Sequence, residues 1–317
     1  MRYALIYTGQ GAQRPGMGKD LYDKYESARR VFEGSDDALG FSLSDIIFNG
    51  TPEDLMRTSI TQPAILTMSM AAHRAMEQEL GYALTPCCAA GHSLGEYTSL
   101  VAAGVISLAD GVRLVHLRGD LMQDAVPIGM GGMAAVIGLT ISEVEEVCAE
   151  AANGEVCQAA NVNAPTQVVI SGHSTAVERA VTMLEARGTV KVVPLRVSAP
   201  FHSDLMRPVA EKLKEAFEKI NWKNPSFPII SNVSAKPVND VESIKKALYE
   251  QTFSPVLWSQ SVLEMEEYGT DGYLEFGPGS VLSGLVRKIC KGKRPYPISN
   301  SDELLKGASF LKGDSNG

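Results

Sequence analysis

A glycine-serine-glycine pattern, Gly91-His92-Ser93-Leu94-Gly95, lies between an apolar run that predicts a strand and a segment that predicts a helix. In such an elbow the serine occupies a sharp turn, and the flanking glycines let the backbone pass closely. The helix N-terminus directs N–H groups toward negative charge that develops beside the serine. The pattern predicts an α/β sheet that presents Ser93 as a nucleophile. The alternative interpretation is a serine that only caps a helix.

Strand and helix signals alternate along most of the chain, which is typical of an α/β fold. From Met133 to Arg196 the order changes to strand, helix, strand, strand, helix, strand, which indicates a small ferredoxin-like (βαββαβ) domain. We therefore expect a large α/β domain over 1–126 and 198–317, interrupted by the small domain over 127–197. Helices are expected from Ser107, from Ser203 and, as the last element, after the GPGS turn, with a frayed GDSNG tail.

The Ser93 hydroxyl needs a base, which is most often histidine. Of the five histidines, His202 fits best, because it stands where the helix predicted from Ser203 begins and the helix dipole favours a neutral imidazole. The alternative is an ordinary helix-start residue. The others are the neighbour of the nucleophile, two residues in helical patterns and one in the small domain: His92, His73, His116 and His173. No acid stands out to orient the imidazole, which leaves a backbone carbonyl as an option.

Two further features are candidates for the same site as Ser93. The loop Gly9-Gln10-Gly11 follows the first predicted strand, where α/β sheets usually bind ligands, and its N–H groups are candidate oxyanion donors; the alternative is a simple tight turn. Arg118 has only apolar helical neighbours at three and four positions, so its guanidinium points toward the core and needs an anionic partner. That partner is an internal acid or, if Arg118 reaches Ser93, the carboxylate of a substrate; a snorkelling side chain is the third option.

Charge and composition exclude several classes of function. Lys and Arg number 29 against 37 Asp and Glu, a net charge of −8, which argues against a broad nucleic-acid or anionic-membrane surface. The first twenty residues hold too short an apolar run for an export signal, and no apolar stretch is long enough to span a bilayer. The five cysteines lack metal-ligand spacing. We expect a cytoplasmic monomer with reduced thiols and no metal.

Taken together, these residues resemble the malonyl-CoA:acyl carrier protein transacylase family of fatty acid synthesis. The resemblance spans nearly the whole chain. It rests on short motifs in a fixed order: TGQGAQ, GHSLGEY around Ser93, the RG pair at Arg118, NVNAP with VVISG, SAPFHSDLM around His202, QTFSPV from Gln251, and GPGSVL. The chain departs from the family where Tyr7-Thr8 replace the usual Phe-Pro before GQG.

The resemblance implies a hydrolase-like α/β domain with an inserted ferredoxin-like domain and a cleft between them. It also implies a role for each matching residue. Ser93 would carry the acyl group, and His202 would act as general base and acid. The remaining roles are the oxyanion N–H groups of Gln10 and Leu94, a carboxylate partner in Arg118, a backbone carbonyl of Gln251 that orients His202, and cleft positions at Asn163 and Phe201. Phe201 and Leu94 resemble the malonyl-selective pattern.

The implied activity is a ping-pong transfer of malonyl from malonyl-CoA to the phosphopantetheine thiol of acyl carrier protein, without a cofactor. Alternatives are an acyltransferase that loads a polyketide synthase in trans, a serine acyl-thioester hydrolase of the same fold, and a non-catalytic binding module. Because the carrier is expected to be acidic, a basic cluster is a candidate docking surface or else a solvated helix end. Its members are Arg287, Lys288, Lys291, Lys293 and Arg294.

Overall fold

The computed structural model describes residues 1–127, 129–188, 191–195, 197 and 199–313. These residues form two separate β-sheets with helices packed around them. The predicted α/β fold class is confirmed. The predicted domain boundary at Ser198 and most of the predicted frayed tail lie outside the described residues, and the division into 1–126 with 198–317 and 127–197 stays a prediction.

Within the described residues the larger sheet has six strands, which lie side by side in the order β10-β9-β1-β2-β7-β8. Neighbouring strands are parallel except β7 and β8. Along β1, Leu5 faces one apolar core while Ala4 and Ile6 face another, so helices cover both sides of the sheet. The strands are β1 (Tyr3–Tyr7), β2 (Cys88–Gly91), β7 (Ile229–Ile230), β8 (Pro237–Val238), β9 (Gly272–Phe276) and β10 (Arg294–Ile298).

The helices around this sheet include a long buried helix, Thr58–Leu80, that packs against the helix carrying Arg118. In chain order the helices that precede the second sheet are α1 (Lys19–Lys24), α2 (Glu26–Leu39), α3 (Leu43–Asn49), α4 (Pro52–Met56), α5 (Thr58–Leu80), α6 (Leu94–Ala102) and α7 (Leu108–Gln123). The predicted helix start at Ser107 is confirmed, since its side chain caps α7 by accepting from the Asp110 N–H.

The second sheet contains four antiparallel strands of the described residues, in the order β4-β5-β3-β6. Two helices cover one of its faces and enclose an apolar core of their own. The βαββαβ order predicted from the sequence is confirmed. Its elements are β3 (Gly131–Ile137), α8 (Ile141–Ala152), β4 (Cys157–Ala164), β5 (Gln167–His173), α9 (Ser174–Glu185) and β6 (Lys191–Pro194).

The C-terminal half differs from the prediction in two places. The helix expected from Ser203 is a 3₁₀ turn over Asp204–Met206 followed by α10 from Arg207, because Pro208 fits the first turn of an α-helix. The helix after the GPGS turn is not the last element, since β10 and one more helix follow it. The helices are α10 (Arg207–Phe217), α11 (Val241–Gln251), α12 (Trp258–Glu267), α13 (Val281–Ile289) and α14 (Ser301–Lys312).

None of the helices in the described ranges combines the length and the apolar character needed to cross a membrane.

Candidate active site

Ser93 lies on the sharp turn between β2 and α6, with φ 52° and ψ −105°. The flanking glycines explain why the turn closes here. A Cβ on Gly91 would lie 1.9 Å from the carbonyl of Gly95, and a Cβ on Gly95 would lie 2.1 Å from the carbonyl oxygen of Tyr7. Any side chain at either position would collide with backbone, so the structure contains the strand–turn–helix elbow predicted from the sequence.

Asn232 holds this turn from the neighbouring strand. It follows the carboxyl end of β7, which pairs with β2. Its Oδ1 accepts the N–H of Ser93 at 2.7 Å, and its Nδ2 donates to the carbonyl of Gly91, also at 2.7 Å. A positive φ is unfavourable for serine, so these bonds help to fix Ser93 in a conformation that the free chain rarely adopts.

Ser93 and His202 meet although they are 109 positions apart. The distance from Ser93 Oγ to His202 Nε2 is 2.7 Å, and His202 Nδ1 lies 2.8 Å from the backbone carbonyl oxygen of Gln251. A carbonyl only accepts hydrogen bonds, so Nδ1 carries the proton and Nε2 accepts from the serine hydroxyl. The Ser93 hydroxyl, the His202 imidazole and the Gln251 carbonyl therefore form one hydrogen-bonded chain, in which the imidazole is placed to accept the hydroxyl proton.

His202 is neutral for a reason that differs from the one expected. Burial lowers its pKa to about 3, with the charge of Arg118 as the next cause. The predicted helix dipole is not the cause, because His202 precedes the 3₁₀ turn and α10 begins only at Arg207. The imidazole is consequently free to accept a proton at neutral pH.

Arg118 enters the same cluster from α7 and is 0% exposed. Its Nη1 donates to Gln62 Oε1 at 2.9 Å, and its Nη2 donates to Gln251 Oε1 at 3.0 Å and to Ser93 Oγ at 3.2 Å. Its buried Nε has no hydrogen-bond partner. The guanidinium lies 5.2 Å from the ring centroid of Tyr97.

The partners of Arg118 are neutral, and it forms no ion pair with any residue that the structure describes. The internal salt bridge considered from the sequence is therefore absent from these residues, and the side chain does not snorkel. Burial lowers the pKa of Arg118, yet a guanidinium stays protonated in proteins. The site thus contains a desolvated cation beside the nucleophile, which favours an anionic ligand.

Two backbone N–H groups near Ser93 are available as donors. Leu94 opens α6, and Gln10 lies in the loop after β1. Within the described part of the chain neither N–H donates a hydrogen bond. The loop is packed tightly against the elbow, since a Cβ on Gly9 would lie 2.6 Å from the carbonyl oxygen of His92. Thr8, which replaces the family's proline, anchors the loop through its N–H and hydroxyl, both at 3.2 Å from the Phe276 carbonyl.

A cavity of about 640 Å³ opens over Ser93. Its walls include residues that follow β1 and β2 of the larger sheet and residues of the antiparallel sheet, and Phe201 lines it as predicted. Asn163, predicted to lie in the cleft, is not among the lining residues, and its Oδ1 lies 2.8 Å from Nε2 of His92, which is; the asparagine on the wall is Asn161. The lining residues are Gln10, Gly11, Gln13, Met56, Thr58, His92, Ser93, Met133, Asn161, Leu195, Val197, Phe201 and His202.

Three buried residues of this cluster were not identified from the sequence: Gln62, Glu96 and Asn232. Gln62 binds Arg118 and also donates to the side chain of Gln10 at 3.2 Å. Glu96 accepts from Gln251 Nε2 at 2.9 Å, and burial raises its pKa to about 7. Asn232 had a usable signal, since a polar residue directly after a buried parallel strand lies at the ligand-binding edge.

The basic cluster lies far from Ser93 along the sheet. Arg294 begins β10 at the amino-terminal edge of the parallel strands, whereas Ser93 follows β2 at the carboxyl-terminal edge. Lys293 is ion-paired with Glu266 at 2.8 Å, and Lys288 donates to Gln167 at 3.0 Å. This position does not favour docking of a carrier that must reach Ser93, and it fits the alternative interpretation of a solvated helix end.

The described residues contain no group of three or more His, Cys, Asp or Glu that could hold a metal ion. The hydroxyl of Ser93, the imidazole of His202 and the guanidinium of Arg118 support one chemistry, which is attack by Ser93 on a carbonyl whose acyl group carries a negative charge.

Comparison with known proteins agrees with this geometry. Residues 4–300 match the family described as the acyl transferase domain. The malonyl CoA-acyl carrier protein transacylase of Bacillus subtilis is 40% identical over 99% of both chains. The Escherichia coli K12 protein of the same name is 44% identical over 91% of this chain and 93% of its own.

A solved structure of a malonyl-transacylase in complex with a type II PKS acyl-carrier protein has a TM-score of 0.94 and 40% identity, and covers 98% of this chain and 100% of its own. The family match spans most of the chain. The sequence identity to the two relatives is well above the level expected by chance, and it extends over nearly their whole lengths. The chain therefore belongs to the acyl transferase domain family and, within it, to the malonyl CoA-acyl carrier protein transacylases.

Proposed function

We propose that this enzyme transfers the malonyl group from malonyl-CoA to the phosphopantetheine thiol of acyl carrier protein in fatty acid synthesis. The observation that carries the proposal is the buried guanidinium of Arg118, 3.2 Å from the nucleophilic oxygen of Ser93 and without an acidic partner in the described residues. A malonyl group has its carboxylate one methylene away from the reacting carbonyl. Attack on that carbonyl therefore brings the carboxylate to the cation.

The first half-reaction forms an ester on Ser93. Ser93 Oγ attacks the thioester carbonyl carbon while its proton passes to His202 Nε2, and the N–H groups of Gln10 and Leu94 stabilise the oxyanion. The C–S bond then breaks, and the departing sulfur of CoA takes the proton from His202. Gln251 keeps the imidazole oriented throughout, because its carbonyl binds the Nδ1 proton.

The second half-reaction reverses these roles. The thiol of the carrier gives its proton to His202 Nε2, and its sulfur attacks the ester carbonyl. The C–O bond breaks, Ser93 Oγ regains a proton from His202, and the malonyl group leaves on the carrier. Because both steps move only protons and an acyl group, we propose that no metal or redox cofactor takes part.

The substrate carboxylate also assists the base. The charge of Arg118 is one of the causes that lower the pKa of His202. A carboxylate bound to Arg118 offsets that charge and so favours proton transfer to His202. An acetyl group provides no such compensation and leaves the guanidinium unpaired, so selection for malonyl acts on the acylation rate as well as on binding.

Intact-mass analysis after mixing with malonyl-CoA tests the proposal. The wild type is expected to gain one malonyl group, which holo acyl carrier protein then removes, while Ser93→Ala gains none. An unmodified wild type, or an equal adduct on Ser93→Ala, would refute the assignment of Ser93. Malonyl-, methylmalonyl- and acetyl-CoA compete in the same assay, with malonyl-CoA expected to be preferred.

A second candidate carrier has a specific observation in its favour. The similar structure with 40% identity holds a type II PKS acyl-carrier protein, so loading of a polyketide synthase uses the same architecture. Transfer rates to fatty acid and polyketide carriers, measured side by side, decide between the pathways. Release of free malonate without any carrier would instead identify a thioester hydrolase. A hydrolase for neutral acyl chains is not favoured by the structure, because such a chain has no carboxylate to pair with Arg118.

We propose that the enzyme acts as a monomer in the cytoplasm. The thiols support a reducing compartment, because all five cysteines are free and the adjacent Cys87 and Cys88 have their sulfur atoms 4.0 Å apart without a bond. Light scattering of the purified protein and fractionation of its cells test the two statements separately.

A further inference from the structure

We propose that Glu96 is a positioning residue for Ser93 and His202, an inference that rests on the proposed function. Glu96 lies in the first turn of α6 and is 2% exposed. It touches neither Ser93 Oγ nor the imidazole in any hydrogen bond of the described residues. Its effect is exerted through Gln251 and Asn232, the two residues that hold the reacting groups.

One oxygen of Glu96 is the common acceptor for both residues. Oε2 accepts from the side-chain Nε2 of Gln251 at 2.9 Å and from the backbone N–H of Asn232 at 3.2 Å. Glu96 therefore joins α6, the segment after β7 and the end of α11 at one buried point. A buried acceptor with two donors is costly to remove, because each donor would lose its partner.

The Asn232 branch acts on the nucleophile. With its backbone fixed to Glu96, the Asn232 side chain bridges the Ser93 N–H and the Gly91 carbonyl, both at 2.7 Å. These two bonds hold the strained elbow, so a shift of Asn232 moves Ser93.

The Gln251 branch acts on the base and on the carboxylate site. Gln251 Oε1 accepts from Arg118 at 3.0 Å, and Nε2 donates to the Ser93 carbonyl at 2.9 Å as well as to Glu96. A flipped amide would set its NH₂ against the guanidinium and its oxygen against two acceptors. Glu96 thus helps to fix the side chain of Gln251 in one orientation and one position, and so helps to hold the residue whose backbone carbonyl orients His202.

The acceptor oxygen, rather than the negative charge, is what this geometry requires. Gln251 and Asn232 both donate N–H groups, which an amide oxygen accepts as well as a carboxyl oxygen does. Burial raises the pKa of Glu96, in agreement with a role that does not depend on full ionisation. Glu96→Gln should therefore keep the function, whereas Glu96→Met should lose it at similar volume.

The experiment compares three variants with the wild type. Glu96→Met removes the acceptor, Glu96→Gln keeps it, and Glu275→Met is the matched control, because Glu275 is equally buried and accepts two backbone N–H groups at the start of α13, away from the cavity. Single-turnover malonylation of Ser93 gives the acylation rate and the apparent affinity for malonyl-CoA. Inactivation by phenylmethylsulfonyl fluoride reports the reactivity of Ser93 without any malonyl group.

Glu96→Met is expected to slow acylation and sulfonylation by about tenfold or more while the affinity for malonyl-CoA stays within about threefold, because misplacement acts on rate rather than on binding. Glu96→Gln and Glu275→Met are expected to keep wild-type rates within about threefold, although Glu275→Met lowers the melting temperature. Should Glu96→Met fail to fold, Glu96→Asp, whose shorter side chain retracts the oxygen, carries the same expectation.

Equal rates in the Glu96 variants and the Glu275 control would overturn the inference. So would a Glu96→Met variant whose loss lies entirely in affinity. A wild type that reacts with the sulfonyl fluoride but never with malonyl-CoA would refute the proposed function instead, and the sulfonylation rates of the variants would still decide the role of Glu96.

Discussion

The guanidinium of Arg118 donates a hydrogen bond to the hydroxyl oxygen of Ser93 over 3.2 Å. The cation proposed to bind the substrate carboxylate and the oxygen proposed to attack the carbonyl are therefore immediate neighbours. An acyl group with its carboxylate close to the thioester satisfies both at once, whereas a longer diacid places its carboxylate beyond the guanidinium.

Arg118→Ala should reduce selective loading of malonyl. We expect malonylation of Ser93 to fall by about 100-fold, which corresponds to about 3 kcal/mol for the loss of a buried charged partner, while acetyl loading changes much less. Arg113→Ala is the control, because Arg113 lies on the exposed side of the same helix. The measurement is competition between malonyl-CoA and acetyl-CoA, and an unchanged ratio contradicts the role of Arg118.

Gln62→Glu should weaken malonyl binding by supplying the ion-pair partner that Arg118 lacks. The new carboxylate would stand in place of an amide oxygen 2.9 Å from the guanidinium. We expect the KM for malonyl-CoA to rise by about tenfold, since the substrate carboxylate then competes with an internal one. Gln62→Met, which also loses the bond to Gln10 but adds no charge, should raise KM less. Equal effects of the two substitutions would rule out charge compensation as the cause.

Gly91→Ala should destabilise the fold at the elbow. The added methyl would meet the Gly95 backbone at 1.9 Å, so the strand and helix must separate, at a cost of about 3 kcal/mol or more. Gly284→Ala, within α13 and without a close neighbour, should be neutral or stabilising by up to about 1 kcal/mol. The melting temperatures of both variants test these two expectations. A Gly91→Ala protein as stable as the wild type would contradict the close approach of the Gly91 and Gly95 backbones.

The effect of His202→Gln on the free energy of unfolding should be more favourable at acidic pH than at basic pH. The pKa of His202 is about 3 in the folded protein and about 6.5 in the unfolded chain, so below pH 6.5 the unfolded chain binds more protons and stability is lost as the pH falls. Removing the imidazole removes this loss. The gain in free energy of unfolding at about pH 5 relative to about pH 8 should be about 2 kcal/mol. Denaturant titrations at the two values measure it, and a gain independent of pH would show that the imidazole is not held neutral.

Residues that are marked by their neighbours along the chain are predictable from the sequence alone. Ser93 stands in a pattern that dictates its own turn, and His202 was selected by elimination among few histidines. The βαββαβ order of the second sheet is also predictable, because the apolar residues of each segment show the period of a strand or of a helix. These features depend on neighbours in sequence, which is where periodicity and turn chemistry carry information.

The residues that were missed depend on contacts across the fold. Gln62 and Glu96 are common residue types in helices, and only the packing of α5 and α6 beside α7 and α11 shows that their polar atoms are buried together. The sequence predicts a neutral His202 from the dipole of a helix at Ser203, but it does not show the 3₁₀ turn that delays that helix to Arg207. The residues of the basic cluster are close together in sequence, but only the strand register shows that the cluster lies at the amino-terminal edge of the parallel strands.

The reacting residues and the residues of one cavity wall come from different parts of the fold. Ser93, His202 and Gln251 come from segments outside the antiparallel sheet, whereas Met133 and Asn161 of that sheet, with Leu195 directly after it, shape the wall facing them. Substitutions at Met133, Asn161 or Leu195 can therefore change the shape of that wall without removing any of the hydrogen bonds that join Ser93, His202 and Gln251.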